Sequence, residues 1–288
     1  MKSMNENIII EAENLTKHFP LKMGFFKTLL SKEVSAVHAV DDISFKINEQ
    51  EIFGLVGESG CGKTTTGRLL LRLIEPTTGK ILFKGKDITS LPPEEMRKMR
   101  RKLQIIFQDP YESLNPRMSI FDIVSEPLHI QNVAKSEEEV IERVVKVMED
   151  MDLVPPEEYL YRFPHELSGG QRQRVAIARA FALEPEFIVA DEPVSMLDAS
   201  IRSEVTKLIL GLVQQFRISF LYITHDIALS RYICNRIAVM YLGKIVERGP
   251  TDDVIQNPFH PYTEALIAAV PVPDPTAQRT KVVLKGEV

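Results

Sequence analysis

The chain has 288 residues, 44% of them hydrophobic and 26% charged, values usual for a globular protein long enough to bury a core. A formal net charge of -5 excludes nucleic-acid binding that relies on an overall basic surface, though not a local basic patch. The first residues lack the apolar core of a signal peptide, and no apolar run approaches the roughly 18–20 residues of a membrane-spanning helix, so a soluble chain is expected. Two cysteines, Cys61 and Cys234, show neither metal-ligand spacing nor a disulfide framework, which fits a reducing compartment.

In chain order, Ile8 to Ala12 reads as a first strand and Asn14 to Pro20 as a turn out of it. Residues 21–36 mix basic and apolar side chains, as a partly packed loop does. Val37 to Ile47 reads as strand, tight turn at Asp41-Asp42, and strand, because Ile43, Phe45 and Ile47 alternate with polar residues. The apolar run Ile52 to Val56 is another strand, and residues 67–74 a helix. Pro76 to Gly79 is a turn before a short strand, Ile81 to Phe83. Leu91-Pro92-Pro93-Glu94-Glu95 opens a helix with early proline and acidic first turn, and the basic run Arg97 to Lys102 closes it as a solvated face. Leu103 to Phe107 is a strand that delivers Gln108. From about residue 110 to 167 helices and loops replace strands; Ser136 with Glu139 spells a capping box, and Val140, Val144, Val147 and Met151 form one stripe. A helix beginning near Gln171, the apolar strand Phe187 to Ala190, helix 201–215, strand Ser219 to Ile223 and helix 226–234 then alternate. Continuous apolar strands between helices predict a mainly parallel sheet buried on both faces. A hairpin turning near Gly243 precedes an extended Pro-rich tail, Pro271 to Pro275.

The chemistry starts at Gly57-Glu58-Ser59-Gly60-Cys61-Gly62-Lys63-Thr64-Thr65, set between a strand and a helix. That context is the one a phosphate-binding P-loop requires. Its glycines let backbone N–H groups turn toward phosphate oxygens, and the new helix aims its positive end at the same anion. Lys63 supplies a compact charge to the β/γ oxygens, and the Thr64 hydroxyl a ligand for Mg²⁺. An apolar strand ending in Asp191-Glu192 is the complementary half: the first carboxylate suits the Mg²⁺ shell, the second orients and deprotonates an attacking water. Leu167-Ser168-Gly169-Gly170-Gln171 makes a second phosphate-facing helix N-terminus. One chain with a single P-loop has an evident use for it only in trans, on the nucleotide of a second chain.

The Leu-Ser-Gly-Gly-Gln run, downstream of the P-loop and just before Asp191-Glu192, resembles the signature of ABC ATPases, and the match covers residues 8 to about 250. The resemblance implies an α/β fold: a P-loop NTPase core with mainly parallel sheet, an antiparallel β subdomain and a helical subdomain inserted at about 110–175, all within residues 1–250. It implies ATP and Mg²⁺ as ligands. Gly57 to Thr65 resemble Walker A; Phe187 to Glu192 resemble Walker B, with Glu192 as catalytic base. Gln108 is similar to the Q-loop glutamine that touches Mg²⁺ and the water. Ser195-Met196-Leu197-Asp198 resembles the D-loop, with Met196 in place of the family's usual small residue. His225 matches the switch histidine that contacts the γ-phosphate. Phe19 aligns with the aromatic that stacks on adenine, with Phe26 as its rival.

Within that family, Phe107-Gln108-Asp109-Pro110-Tyr111-Glu112-Ser113-Leu114-Asn115-Pro116-Arg117 is similar to the long Q-loop of oligopeptide/dipeptide importers. His260-Pro261-Tyr262-Thr263 and the Pro-rich tail resemble the extension, here 251–288, of the second of their two paired ATPase subunits. Members often continue into a Cys-containing tail, so the chain, ending at Val288, is expected to have no iron–sulfur site there. The implied partners are a second ATP-binding subunit (homo- or heterodimer), two transmembrane permease subunits and, indirectly, an extracytoplasmic solute-binding protein, with no nucleic acid. The implied location is peripheral, at the cytoplasmic face of the cell membrane. Relatives carry peptides, nickel or oligosaccharides. The rival readings are a soluble ABC ATPase acting on nucleic acid or ribosomes, which predicts a second cassette or a basic surface, and a P-loop kinase, which leaves Leu167 to Gln171 unused.

Overall fold

The structure, a computed structural model, describes residues 7–20 and 36–270. Phe26, the rest of the 21–35 stretch and the tail from Pro271 lie outside the described residues. The chain divides into two compact units: one takes residues up to Asn48, Ile52–Ser90 and Ile223 onward, the other Glu49–Glu51 and Leu91–Tyr222.

In the first unit, strands β1 (Ile8–Pro20), β2 (Ala36–Asn48), β4 (Thr78–Phe83) and β5 (Lys86–Asp87) form an antiparallel sheet in the order β2-β1-β4-β5. Val40, Ile43, Phe45 and Ile47 of β2 are buried and their neighbours toward solvent are polar, the alternation of a half-buried strand. Strand β3 (Ile52–Val56) is buried at every position and runs parallel to β9 (Arg236–Tyr241), which pairs antiparallel with β10 (Lys244–Pro250). Phe45 and Phe53 stack with ring centroids 5.4 Å apart, joining β2 to β3. Helices α1 (Lys63–Leu70), α8 (Ile227–Ile233), α9 (Thr251–Gln256) and α10 (Pro261–Ala268) complete this unit.

In the second unit, β6 (Leu103–Ile106) and β7 (Phe187–Asp191) are parallel, and β8 (Ser219–Thr224) lies beside β7. Every residue of β7 and β8 is buried, including the polar Asp191, Ser219 and Thr224 at their ends, as suits strands with apolar centres. Helix α2 (Pro93–Met99) precedes β6; between β6 and β7 the regular elements are helical, namely α3 (Pro110–Ser113), α4 (Ile120–Gln131), α5 (Glu137–Asp150) and α6 (Gly169–Phe181), with two single 3₁₀ turns. Helix α7 (Ala199–Phe216) follows β7. No helix among the described residues is long and apolar enough to cross a membrane.

Four local expectations are corrected. Asn14 to Pro20 is not a turn but the second half of β1, and Asp41-Asp42 does not split β2. Both places are irregularities within continuous strands: Asn14 and Asp42 adopt positive φ of 48° and 55°, and the Asn14 amide donates to Asp42 Oδ1 at 2.9 Å across the pair. Helix α1 begins at Lys63 rather than near 67, inside the Gly-rich loop. The Ser136 cap is only half a box: its hydroxyl accepts the Glu139 N–H, but the Glu139 carboxylate turns to Lys135 N at 2.8 Å and to Arg143.

Candidate functional site

In the first unit, β3 ends at Val56 and the chain turns through Gly57 to Gly62 into α1. Two of these glycines are forced by close approach. Gly57 has φ +154, and a Cβ there would sit 2.2 Å from the Met240 carbonyl oxygen of β9. Gly62 has φ +111, and a Cβ would sit 2.1 Å from the Ala39 oxygen of β2. The loop is further held by the Gly243 N–H, which donates to the Cys61 carbonyl at 3.0 Å from the β9–β10 turn. Its exposed part is Glu58, Ser59 and Gly60; Thr64 and Thr65 are half-buried.

Lys63, 5% exposed, donates from Nζ to the Gly57 and Glu58 carbonyls, each at 2.8 Å. Two neutral carbonyls bring no counter-charge, so the buried ammonium suits an anion. Cys61 is buried beside it, 3.9 Å from Nζ. Burial pushes its thiol above the ordinary range, while the Lys63 charge acts in the opposite direction.

Phe19 is near the end of β1, 40% exposed, with Lys17 Nζ 5.1 Å from its ring centroid. Its strand pairs with β2 next to the Ala39 segment that abuts Gly62, since His18 faces His38. His225 is exposed immediately after β8, before α8, whose first turn is capped by Asp226 accepting the Leu229 N–H at 2.9 Å.

In the second unit, β7 carries Asp191 at its end, 5% exposed, followed by half-buried Glu192. Glu192 has φ +45, a left-handed backbone that a non-glycine residue adopts at some cost. Ser195 keeps it there, its N–H and hydroxyl both donating to the Glu192 carbonyl at 3.1 and 3.0 Å. Gln108 Nε2 donates to Glu192 Oε2 at 3.3 Å, so two of the expected site residues meet although 84 positions separate them. Ser168 caps α6 in a complete capping box: its hydroxyl accepts the Gln171 N–H, and the Gln171 side chain accepts the Ser168 N–H at 2.9 Å. Gly169 and Gly170 are the helix's first two residues. Asp198 occupies the N-cap position of α7 yet its side chain makes no capping bond, and it is exposed next to exposed Met196.

Sequence reasoning gave no individual role to Arg172, Arg179 and Tyr262, which hold these parts. The Arg172 guanidinium lies 3.8 Å from the Tyr111 ring centroid, and Arg179 Nη1 donates to the Ser113 carbonyl at 2.6 Å. Both bonds tie the segment after Gln108 to α6, the helix that Ser168 opens. The third is Tyr262 of α10, whose hydroxyl accepts the Glu58 N–H at 2.9 Å. His260-Pro261-Tyr262-Thr263 was visible as a motif, but nothing local connects it to the loop.

Residues 40–195 match the ABC transporter family, and residues 246–288 the oligopeptide/dipeptide transporter C-terminal region. The oligopeptide transport ATP-binding protein OppF of Bacillus subtilis is 46% identical over 275 residues, covering 95% of this chain and 86% of that protein. AppF of Bacillus subtilis, also an oligopeptide transport ATP-binding protein, is 44% identical over 291 residues, covering 100% and 86%. Among solved structures, a chain from the dimeric structure of the ATP-binding cassette MJ0796 in a post-hydrolysis state with ADP and Pi superposes with a TM-score of 0.73 at 29% identity, covering 84% of this chain and 99% of that one. The chain therefore belongs to the ABC transporter family, and its C-terminal region is of the oligopeptide/dipeptide transporter type.

Proposed function

We propose that this chain binds and hydrolyses ATP to power the import of peptides, or of a related small solute, through membrane permease partners. The observation that carries the reading is the buried Lys63 ammonium in the Gly57–Thr65 loop, in a chain whose residues 246–288 match the oligopeptide/dipeptide transporter region. Residues 1–250 would be the ATPase, with about 110–175 as its helical insertion, and 251–288 the extension. The backbone of Gly57 to Thr65 and Lys63 would hold the phosphates, and Phe19 the adenine. Thr64, Gln108 and Asp191 offer oxygen donors only, the set that a hard cation such as Mg²⁺ takes, and they would hold it. That ion would neutralise charge on the transferred phosphoryl group. Glu192, oriented by Gln108, accepts the proton of the attacking water, and His225 donates toward the γ-phosphate.

Ser168, Gly169, Gly170, Gln171 and Asp198 would complete the site on a second ATP-binding subunit's nucleotide. The exposure of Ser168 and Asp198 supports a role in trans. On this reading the protein works at the cytoplasmic face of the membrane, and a solute-binding protein acts through the permeases. The test is ATP hydrolysis in proteoliposomes holding the chain, its second ATPase subunit and its permeases. Stimulation by the peptide-loaded binding protein is expected. Stimulation by nickel or an oligosaccharide alone would replace the substrate class, and stimulation by RNA without the permeases would replace the importer itself.

A further inference from the structure

The C-terminal extension reaches the phosphate loop. Its approach is anchored at Glu247 of β10, whose carboxylate accepts the Phe259 N–H at 2.9 Å and the His260 N–H at 3.1 Å. His260 then caps α10, with Nδ1 accepting the Tyr262 N–H at 3.1 Å. This fixes the first turn of a helix that would fray in isolation. Tyr262 is 2% exposed, and its ring packs on Tyr241 with centroids 4.3 Å apart. Its oxygen is thereby delivered to Glu58 N–H at 2.9 Å. Burial holds the phenol protonated, pushed up to about 12.

The bonded group decides what the contact means. The Glu58 N–H and the Gly57 carbonyl belong to one planar peptide. Tyr262 holds the N–H end, and Lys63 Nζ holds the carbonyl end at 2.8 Å. Rotating this peptide out of place breaks both bonds and moves the lysine's anchor. Glu58 itself is exposed, so without the phenol its N–H turns to water and the peptide loses a fixed orientation.

We infer that Tyr262 is a positioning residue of the nucleotide site: its hydroxyl fixes the Gly57–Glu58 peptide and, through it, the station of Lys63 in the phosphate loop. The inference rests on the reading of that loop as the ATP cradle. It makes the extension part of the nucleotide site, so anything that lifts α10 weakens ATP binding, and ATP binding strengthens the docking of α10 by the same factor.

Tyr262→Phe keeps the ring on Tyr241 and removes only the oxygen. In the full-length protein it should raise the Kd and KM for ATP about 3–10-fold, the scale of one net hydrogen bond. The kcat should stay within about twofold, as for loss of binding that ground and transition states share. Cys61, three residues from Glu58, should react faster with a thiol reagent. His260→Ala, which only uncaps α10, should shift KM and labelling in the same direction, and is decisive should Tyr262→Phe fail to fold. Wild-type KM and labelling in the folded variants would overturn the inference, even with a lowered Tm. Lys63→Ala separates the two readings: if it binds ATP as the wild type does, the cradle assignment fails; if it loses ATP while Tyr262→Phe does not, only the Tyr262 inference fails.

Discussion

Gly62→Ala and Gly60→Ala place the same methyl group on the same loop with different consequences. Both glycines have left-handed backbones, φ +111 and +82, so each substitution carries a conformational cost of about 1–2 kcal/mol. At Gly60 that is the whole effect, since nothing lies within 4 Å of the added atom. At Gly62 the methyl would stand 2.1 Å from the Ala39 oxygen and 2.7 Å from Met240 Cε. A backbone oxygen in a paired strand cannot swing aside, so a further cost of about 1–3 kcal/mol is expected from forced displacement. The totals are about 2–5 kcal/mol for Gly62→Ala against about 1–2 for Gly60→Ala. At roughly 2–4 °C per kcal/mol for a domain of this size, Tm should fall by about 4–20 °C and about 2–8 °C. Displacement at Gly62 also moves Lys63, the next residue, so ATP affinity should collapse in that variant. Scanning calorimetry with an ATP titration measures both. An equal Tm shift for the two variants, or the larger one at Gly60, would refute the packing argument.

Three more outcomes are expected. Glu192→Gln should bind ATP but lose about 10²–10⁴-fold in hydrolysis rate and accumulate a closed dimer on gel filtration; normal turnover would move the base elsewhere. Because burial raises the Cys61 thiol, its labelling rate should still be rising with pH at pH 9 and be slowed by Mg-ATP; a plateau by pH 8, or no protection, contradicts the described loop. Ser168→Ala should destabilise α6 by about 0.5–2 kcal/mol because the cap is lost, whereas Ser168→Asp keeps the cap and should preserve Tm while reducing hydrolysis. Equal hydrolysis by Ser168→Asp and the wild type would confine Ser168 to capping.

Elements whose cause is local were readable in the chain itself. The runs read as strands at 52–56, 187–190 and 219–223 lie in strands buried throughout, because their apolar stretches have no polar face to offer water. The helix N-terminus at Leu167 to Gln171 and the Gly-rich turn into a helix were equally legible, since their hydrogen bonds close within a few residues. Local signals misled where another partner took the same groups. Asn14 and Asp41-Asp42 carry turn chemistry, yet Asn14 bonds to Ser44 and Asp42 on the neighbouring strand and the strands run on. Glu139 has the right spacing to close a box on Ser136, but Arg143 one turn later competes for its carboxylate.

The Gly57–Thr65 loop, the Asp191-Glu192 strand end, the Leu167–Gln171 turn and, through them, the family could be picked out along the chain, because each is a short pattern of consecutive residues. Tertiary structure alone decided what those patterns touch. It put Met240 and Ala39 against Gly57 and Gly62, Gln108 against Glu192, and Tyr262 against Glu58 across 204 positions. Such contacts leave no periodicity or spacing in the chain: a phenol in the first turn of a helix looks the same whether it meets water or the peptide that anchors a lysine.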